Sequence, residues 1–86
     1  MANYESILSP VPGIIYLQPA PGEDVYVKPG SFVKKGDVVA LIEVMKSFFE
    51  IQAENDGILE NFNVNNGDTV DAGTEIASLK IVENVG

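Results

Sequence analysis

The 86-residue chain has no cysteine, histidine or tryptophan, and none of its five basic residues is an arginine. Without Cys and His it has no thiol nucleophile, no His-assisted serine triad, no zinc site of thiolate or imidazole ligands and no disulfide. Lysine, carboxylate, serine, threonine and tyrosine side chains remain for chemistry. A chain of this length forms one small domain with a thin core, and we expect no enzyme pocket in it.

The charge of the chain is strongly one-sided. Its 13 acidic residues outweigh five lysines, which gives a net charge of −8. Such a surface repels phosphate backbones and anionic lipid, so we expect no nucleic acid and no membrane among its partners. No stretch approaches the roughly 20 apolar residues of a membrane span, and Glu5 lies where a signal peptide would carry positive charge. These features predict a soluble, cytoplasmic protein.

Short runs of β-branched and aromatic residues alternate with turn sequences along the chain. The runs predicted as strands are Val25–Val27, Val38–Met45, Phe48–Ala53, Ile58–Val64 and Ile76–Val82. Clusters of Pro, Gly, Asn and Asp separate them, and no window between these turns is long enough for a helix of about ten residues. The pattern predicts an all-β fold.

The chain also contains an internal repeat. The motif Val-x-x-Gly-x-x-Val-x-x-Gly occupies residues 27–36 and recurs at residues 64–73, a displacement of 37 positions. Gly13-Ile14-Ile15 resembles Gly57-Ile58-Leu59, but here the displacement is 44 positions. Two similar half-sheets that share one core need equivalent tight turns, which glycine allows. The first half therefore carries 7 extra residues, which we place near Pro19–Tyr26.

A lysine lies between the two copies of the repeat, within the apolar segment 42–51. If this segment is a hairpin, Lys46 stands at its tip. A lysine amine is a nucleophile when neutral, and its long stem on a rigid hairpin suits the attachment of a mobile group, although most exposed lysines have no such role. Phe48 and Phe49 follow consecutively, so we expect one to pack inward and the other to lie half exposed.

Other polar residues are better explained by structure than by chemistry. Asp56, Asp68 and Asp71 stand beside Asn or Gly but lack the alternating acidic pattern of a calcium loop, so we interpret them as turn residues and expect no metal. Tyr16 and Tyr26 flank the predicted insertion. We expect their rings to pack at the edge of the core with solvent-exposed hydroxyls, and we do not expect them to act as acid catalysts.

The segment Glu43-Val44-Met45-Lys46 resembles the Glu-Ala-Met-Lys signature of biotin carboxyl carrier domains, members of the biotinyl/lipoyl attachment family. In that family the lysine carries biotin and lies on a hairpin midway between two quasi-symmetric halves. The resemblance implies covalent biotin on Lys46 and recognition by a biotin protein ligase through flanking residues: Glu43, Val44, Met45 and Ser47. Val44 and Ser47 depart from the family's usual Ala and Met. Lipoyl domains typically show Asp-Lys-Ala, which Met45-Lys46-Ser47 does not match.

Residues 13–21 resemble more closely the carrier subunit of acetyl-CoA carboxylase, with its Gly-x-x-Tyr-x-x-Pro-x-Pro segment. In those subunits the inserted residues form a protruding loop, called the thumb, that reaches toward the biotin. The resemblance implies a thumb loop at about 19–26 here, made of Pro19, Ala20, Pro21, Gly22, Glu23, Asp24, Val25 and Tyr26.

The resemblance further implies a flattened β-barrel, or barrel-sandwich hybrid, of two four-stranded antiparallel sheets over residues 8–82. Residues 1–7 would be an N-terminal extension and 83–86 a C-terminal tail. The function implied is a non-catalytic carrier of carboxybiotin from biotin carboxylase to carboxyltransferase, in fatty acid biosynthesis.

Carrier subunits have an N-terminal anchoring segment for which Met1–Ile7 leaves no space, so an excised domain and a naturally short carrier are both open. Two other functions also remain open, an unmodified structural or adaptor sandwich and a lipoyl acyl carrier.

Overall fold

The computed structural model describes residues 3–82, which form eight β-strands. The strands are β1 (Asn3–Leu8), β2 (Gly13–Tyr16), β3 (Phe32–Val33), β4 (Val38–Val44), β5 (Ser47–Gln52), β6 (Gly57–Phe62), β7 (Thr69–Val70) and β8 (Glu75–Ile81). They build two four-stranded antiparallel sheets, sheet 1 in the order β1-β8-β6-β3 and sheet 2 in the order β5-β4-β2-β7. The predicted all-β fold of two such sheets is confirmed. Residues 3–82 contain no helix that could cross a membrane.

The sequence repeat is a structural repeat. Strands β1–β4 correspond to β5–β8 in order, and this replacement converts sheet 1 into sheet 2 strand by strand. The equivalence extends to single hydrogen bonds. The Gly30 amide donates to the Leu59 carbonyl and the Gly67 amide to the Ile15 carbonyl, both at 2.7 Å. Both glycines have positive φ, 89° and 91°, a conformation that side chains disfavour.

The core lies between the sheets and is built from the alternate, inward-facing residues of the strands. Alternation along β2 and β4 is clear, since Ile15 and Ile42 are fully buried while their neighbours are not. The buried apolar side chains are Ile7, Ile15, Leu17, Val27, Val33, Val39, Ala40, Ile42, Ile51, Ala53, Leu59, Val70, Ile76, Ala77 and Leu79. Small aliphatic residues therefore fill the thin space that so short a chain can enclose.

Two further glycines are required by close packing and not by backbone angle. A Cβ added to Gly13 would collide with the Glu43 carbonyl oxygen, and one added to Gly57 would collide with the Lys80 carbonyl oxygen. These positions are equivalent in the repeat, so β2 approaches β4 as closely as β6 approaches β8. Glycine at the start of each strand permits that approach.

Residues 3–8 belong to sheet 1. Residues 1–7 were predicted as an extension outside the domain, whereas Asn3–Leu8 forms β1 and pairs with β8 from Asn3↔Ile81 onward. The repeat explains this pairing. β1 is equivalent to β5, and it pairs with β8 as β5 pairs with β4. The predicted tail, residues 83–86, lies outside the described residues.

One predicted strand is absent. Val25–Val27 has strand-like composition but forms part of a loop. Val27 is buried by packing against the core, and the Tyr26 amide makes one backbone hydrogen bond, to the Leu17 carbonyl at 2.9 Å. This bond closes the loop 18–25 where the sequence repeat places its extra residues. Amino-acid composition alone does not distinguish a residue buried in a loop from a residue buried in a hydrogen-bonded strand.

Candidate functional site

Lys46 lies at the tip of a two-residue hairpin turn. Strands β4 and β5 stay paired up to Val44↔Ser47, which leaves only Met45 and Lys46 in the turn. Their φ angles are 49° and 69°, the signs of a type I′ turn. The predicted hairpin is confirmed, although the turn lacks the Asn-Gly sequence that this geometry favours.

The side chains of the turn project into solvent. Met45 is 93% exposed, and Lys46 is exposed. Within residues 3–82 the Lys46 amine has no hydrogen bond or ion pair. The amine is therefore accessible, while the ladder beneath the turn holds its attachment point in place. The other lysines are also exposed, but they lie in loops or, for Lys80, inside a strand.

The residues predicted to flank a modified lysine are brought together by the hairpin. Glu43 and Val44 form the last residues of β4 and are half-buried, with Val44 packed against the core. Met45 and Ser47 are exposed on either side of Lys46. Their role in recognition by a ligase stays a prediction.

A tyrosine from the neighbouring strand contacts the base of this hairpin. The Tyr16 hydroxyl donates a hydrogen bond to Glu43 Oε1 at 2.9 Å, and its ring centroid lies 6.3 Å from that of Phe48. The hydrogen bond to the Glu43 carboxylate raises the pKa of Tyr16, because the bond favours the protonated phenol. Sequence reasoning placed Tyr16 at the edge of the core but missed its partner. The two residues lie 27 positions apart, and only the β2–β4 register joins them.

Phe48 and Phe49 point to opposite sides of β5, but neither is packed inside. Phe48 is 58% exposed and Phe49 is 50% exposed, so the expectation that one of them packs inward is wrong. Phe49 pairs with the fully buried Ile42 and lies on the inner side of sheet 2. Because β5 is an edge strand and Phe49 lies near the turn, the core does not extend far enough to cover the ring.

The predicted thumb residues form an exposed loop that returns at Tyr26. A turn at Pro21-Gly22 reverses the chain, with the Glu23 amide donating to the Ala20 carbonyl at 3.1 Å. Tyr26 is half-buried against the core, and burial together with nearby Glu50 and Glu23 raises its pKa. The expected packing of the Tyr26 ring at the core edge is confirmed. The reach of the thumb loop toward a biotin on Lys46 stays a prediction.

The acidic residues weighed as metal ligands serve as turn residues. Asp68 Oδ2 accepts from the Asn65 amide at 2.8 Å, and Asp56 Oδ1 accepts from the Lys35 amide at 2.9 Å. Asp71 donates its own amide to Thr74 Oγ1 at 3.1 Å. In the described part of the chain, no three acidic residues come together as a metal site would need.

The comparisons with known proteins agree with this geometry. A family model described as "Biotin-requiring enzyme", of the biotin/lipoyl type, matches residues 5–79. The biotin carboxyl carrier protein of acetyl-CoA carboxylase from Porphyra purpurea is 44% identical over 78 residues, which cover 91% of this chain and 50% of that protein. The chain thus spans about half the length of the curated relative.

Solved structures show the same fold. The structure of Kluyveromyces lactis urea carboxylase matches with a TM-score of 0.74 and 28% identity over 90% of this chain and 6% of that protein. A single-chain, multi-domain long-chain acyl-CoA carboxylase matches with a TM-score of 0.77 and 13% identity, over 95% of this chain and 7% of that protein, which supports the fold alone. The family match covers nearly every strand and both halves of the repeat, and the chain therefore belongs to the biotin/lipoyl family of biotin-requiring enzymes.

Proposed function

We propose that this chain is the biotin carboxyl carrier part of a biotin-dependent carboxylase of the acetyl-CoA type, with biotin joined by an amide to Lys46 Nζ. The observation that carries the proposal is an exposed amine that has no hydrogen bond or ion pair with residues 3–82 and lies at the tip of a two-residue turn, midway between two equivalent halves. The name of the Porphyra purpurea relative supports the acetyl-CoA type.

The residues of the turn suit a covalently held group. Amide formation needs the neutral amine, which attacks an activated carboxyl carbon, loses a proton and displaces the activating group. An exposed turn of two residues is narrow enough to enter an active site, and the four-carbon lysine stem adds reach. Biotin, when bound, supplies a ring nitrogen that accepts and releases a carboxyl group.

The domain contributes position and not catalysis in this proposal. A rigid ladder under Met45 and Lys46 keeps the attachment point fixed, so a tethered group meets each active site at high effective concentration. The partners would be a biotin protein ligase, a biotin carboxylase and a carboxyltransferase. We place this activity in the cytoplasm. Glu43, Val44, Met45 and Ser47 would meet the ligase.

Co-expression with a biotin protein ligase tests the proposal. Streptavidin binding and peptide mass mapping should find biotin on Lys46 and should find none in Lys46→Arg, since guanidinium stays protonated. Lys80→Arg is the matched control, because Lys80 is exposed on a strand, and it should be modified like the wild-type chain. Biotin on the Lys46→Arg protein would contradict the assignment. Modification only by a lipoate ligase would identify an acyl carrier, and no modification would favour an adaptor.

A further inference from the structure

The repeat allows the outer faces of the two sheets to be compared position by position. In each sheet two adjacent rows of three residues face outward across the three longer strands. In sheet 2 these rows, which we call the outer patch, are Phe48-Glu43-Ile14 and Glu50-Leu41-Tyr16. The corresponding paired rows of sheet 1 are Tyr4-Lys80-Ile58 and Ser6-Ser78-Asn61, where a β-bulge between Leu59 and Asn61 brings Asn61 opposite Ser78 in place of Glu60, the repeat equivalent of Tyr16.

The two faces differ most at the centre of the second row. Sheet 1 has Ser78 between two polar neighbours, whereas sheet 2 has Leu41 next to the ring of Tyr16. Ser6 pairs with Ser78 in sheet 1 as Glu50 pairs with Leu41 in sheet 2, so the fold forms such a pair without an apolar residue at the central position. The additional apolar residues of the outer patch, Leu41 and Tyr16, therefore call for a reason other than stability.

The apolar residues of the outer patch are held in a defined arrangement. Tyr16 donates its hydroxyl to Glu43 and lies beside the ring of Phe48, so its ring is fixed from two sides. Ile14 is 37% exposed and Phe48 is 58% exposed, which leaves aliphatic and aromatic surface open to solvent. Ordered aromatic surface binds a partner at a low entropy cost.

The charge around the outer patch has one sign. Glu43 and Glu50 are its charged members, where sheet 1 has Lys80 and Ser6. A complementary surface has an apolar centre with Lys or Arg at its rim.

We propose that the outer patch of sheet 2 is the docking surface for the ligase that modifies Lys46, and that the ligase meets it with an apolar centre and a basic rim. The inference rests on the proposed function. The patch adjoins the site, since the Glu43↔Phe48 pair is the next one after Val44↔Ser47, the pair that closes the turn. Docking here would anchor the carrier through one face while Lys46 enters the active site.

Two matched serine substitutions test the aromatic part of the surface. Phe48→Ser alters the outer patch, and Tyr4→Ser alters the equivalent position of sheet 1, where the ring is 60% exposed. We expect Phe48→Ser to raise the KM of a biotin protein ligase for the carrier at least about fivefold with little change in kcat. Tyr4→Ser should change neither constant. Thermal melting of both proteins tests whether each is folded.

A charge substitution keeps the test decisive if Phe48→Ser fails to fold. Raising NaCl from about 0.05 M to about 0.5 M should raise the wild-type KM, and Glu50→Gln should weaken that dependence. Glu54→Gln, a change to an exposed acid in the loop after β5, should leave it intact.

Equal KM values for the Phe48→Ser and Tyr4→Ser proteins, with Lys46 still modified, would overturn the docking surface and leave the proposed function standing. A salt dependence that is the same in the Glu50→Gln and Glu54→Gln proteins would overturn the basic rim. A wild-type chain that the ligase does not modify would overturn the proposed function and this inference together.

Discussion

Glycine closes the equivalent turns of the two halves, at Gly36 before β4 and Gly73 before β8, and both have positive φ, 95° and 85°. The hairpin turn between β4 and β5 also needs positive φ, yet Met45 and Lys46 occupy it. A left-handed conformation costs a residue with a side chain about 1–2 kcal/mol relative to glycine. Where the chain only has to turn, it uses the residue that turns most easily. The β4–β5 turn has side chains at both positions despite this cost. That is expected of a turn whose exposed side chains have a function.

The largest effect on the equivalence of the halves is expected from a methyl group added where two paired strands approach most closely, at Gly13 or at Gly57. Gly13→Ala and Gly57→Ala should each lower the free energy of unfolding by about 2–4 kcal/mol, because the new Cβ meets a backbone carbonyl that cannot move alone. Urea unfolding measures both, with Ala20→Gly in the exposed thumb loop as a control that changes little. A large effect at one glycine and none at the other would show that the two close strand pairs are not equivalent.

Removing the main difference between the halves tests the thumb loop. Deletion of residues 19–25 joins Gln18 to Tyr26 and gives the first half the length of the second. We expect the domain to stay folded, with a loss of about 1–3 kcal/mol, because the deleted residues are exposed.

Carboxyl transfer with cognate partner subunits should fall about tenfold after this deletion, since the loop would no longer orient the tethered group. Thermal melting and transfer assays on the biotinylated proteins measure the two effects. An unfolded deletion protein would place the loop in the core, and full transfer activity would make it a passive spacer.

Ser47→Met sharpens the comparison at the site itself by restoring the residue that the family usually has after its lysine. The initial rate of biotinylation should rise about two- to fivefold, because Met offers an adaptable apolar contact to a ligase, while stability barely changes at this exposed position. Gln52→Met, on the same strand but far from the turn, is the control. Equal rates for wild-type and Ser47→Met chains would show that the ligase does not read this position.

Met45→Asn makes the hairpin turn resemble an ordinary tight turn. Asn tolerates the left-handed conformation better than Met, so the free energy of unfolding should rise by about 0.5–1 kcal/mol. Biotinylation should slow at the same time, because the exposed Met side chain is lost. Chemical unfolding and initial rates measure these opposite changes. A loss of stability would mean that Met45 makes a contact that outweighs its backbone strain.

The smallest expected effect concerns pH. The pKa of Tyr16 in the folded chain lies above its ordinary value of 10.0, because the Glu43 carboxylate accepts its proton in a hydrogen bond. The stability from this bond is therefore complete below pH 10 and is lost as pH rises through the folded pKa. Melting temperatures between about pH 9 and about pH 11.5 should fall less steeply for Tyr16→Phe than for the wild-type chain. Equal slopes would show that the hydrogen bond does not persist in solution.

Strands with a long apolar run were predicted correctly. Very short strands were not predicted, and the strand-like composition of Val25–Val27 predicted a strand where the structure has a loop. Val38–Met45 and Ile76–Val82 correspond to β4 and β8 within one residue at each end. The two-residue strands β3 and β7 were not predicted, because two residues carry no measurable period. β1 was assigned to an extension, although its equivalence to β5 follows from the same displacement of 44 positions that relates Gly13 to Gly57.

The sequence by itself determined the all-β class, the two-fold repeat and the position of the extra loop, because turn residues and repeats are local or periodic and can be read along the chain. Lys46 as the candidate site came from the resemblance of residues 43–46 to the family signature. Only the tertiary structure decided which residues meet across strands. The contacts of Tyr16 with Glu43 and Phe48, and the difference between the two outer faces, depend on register. Register is set by the packing of the whole core, and a shift of one residue would turn each of these side chains to the other face.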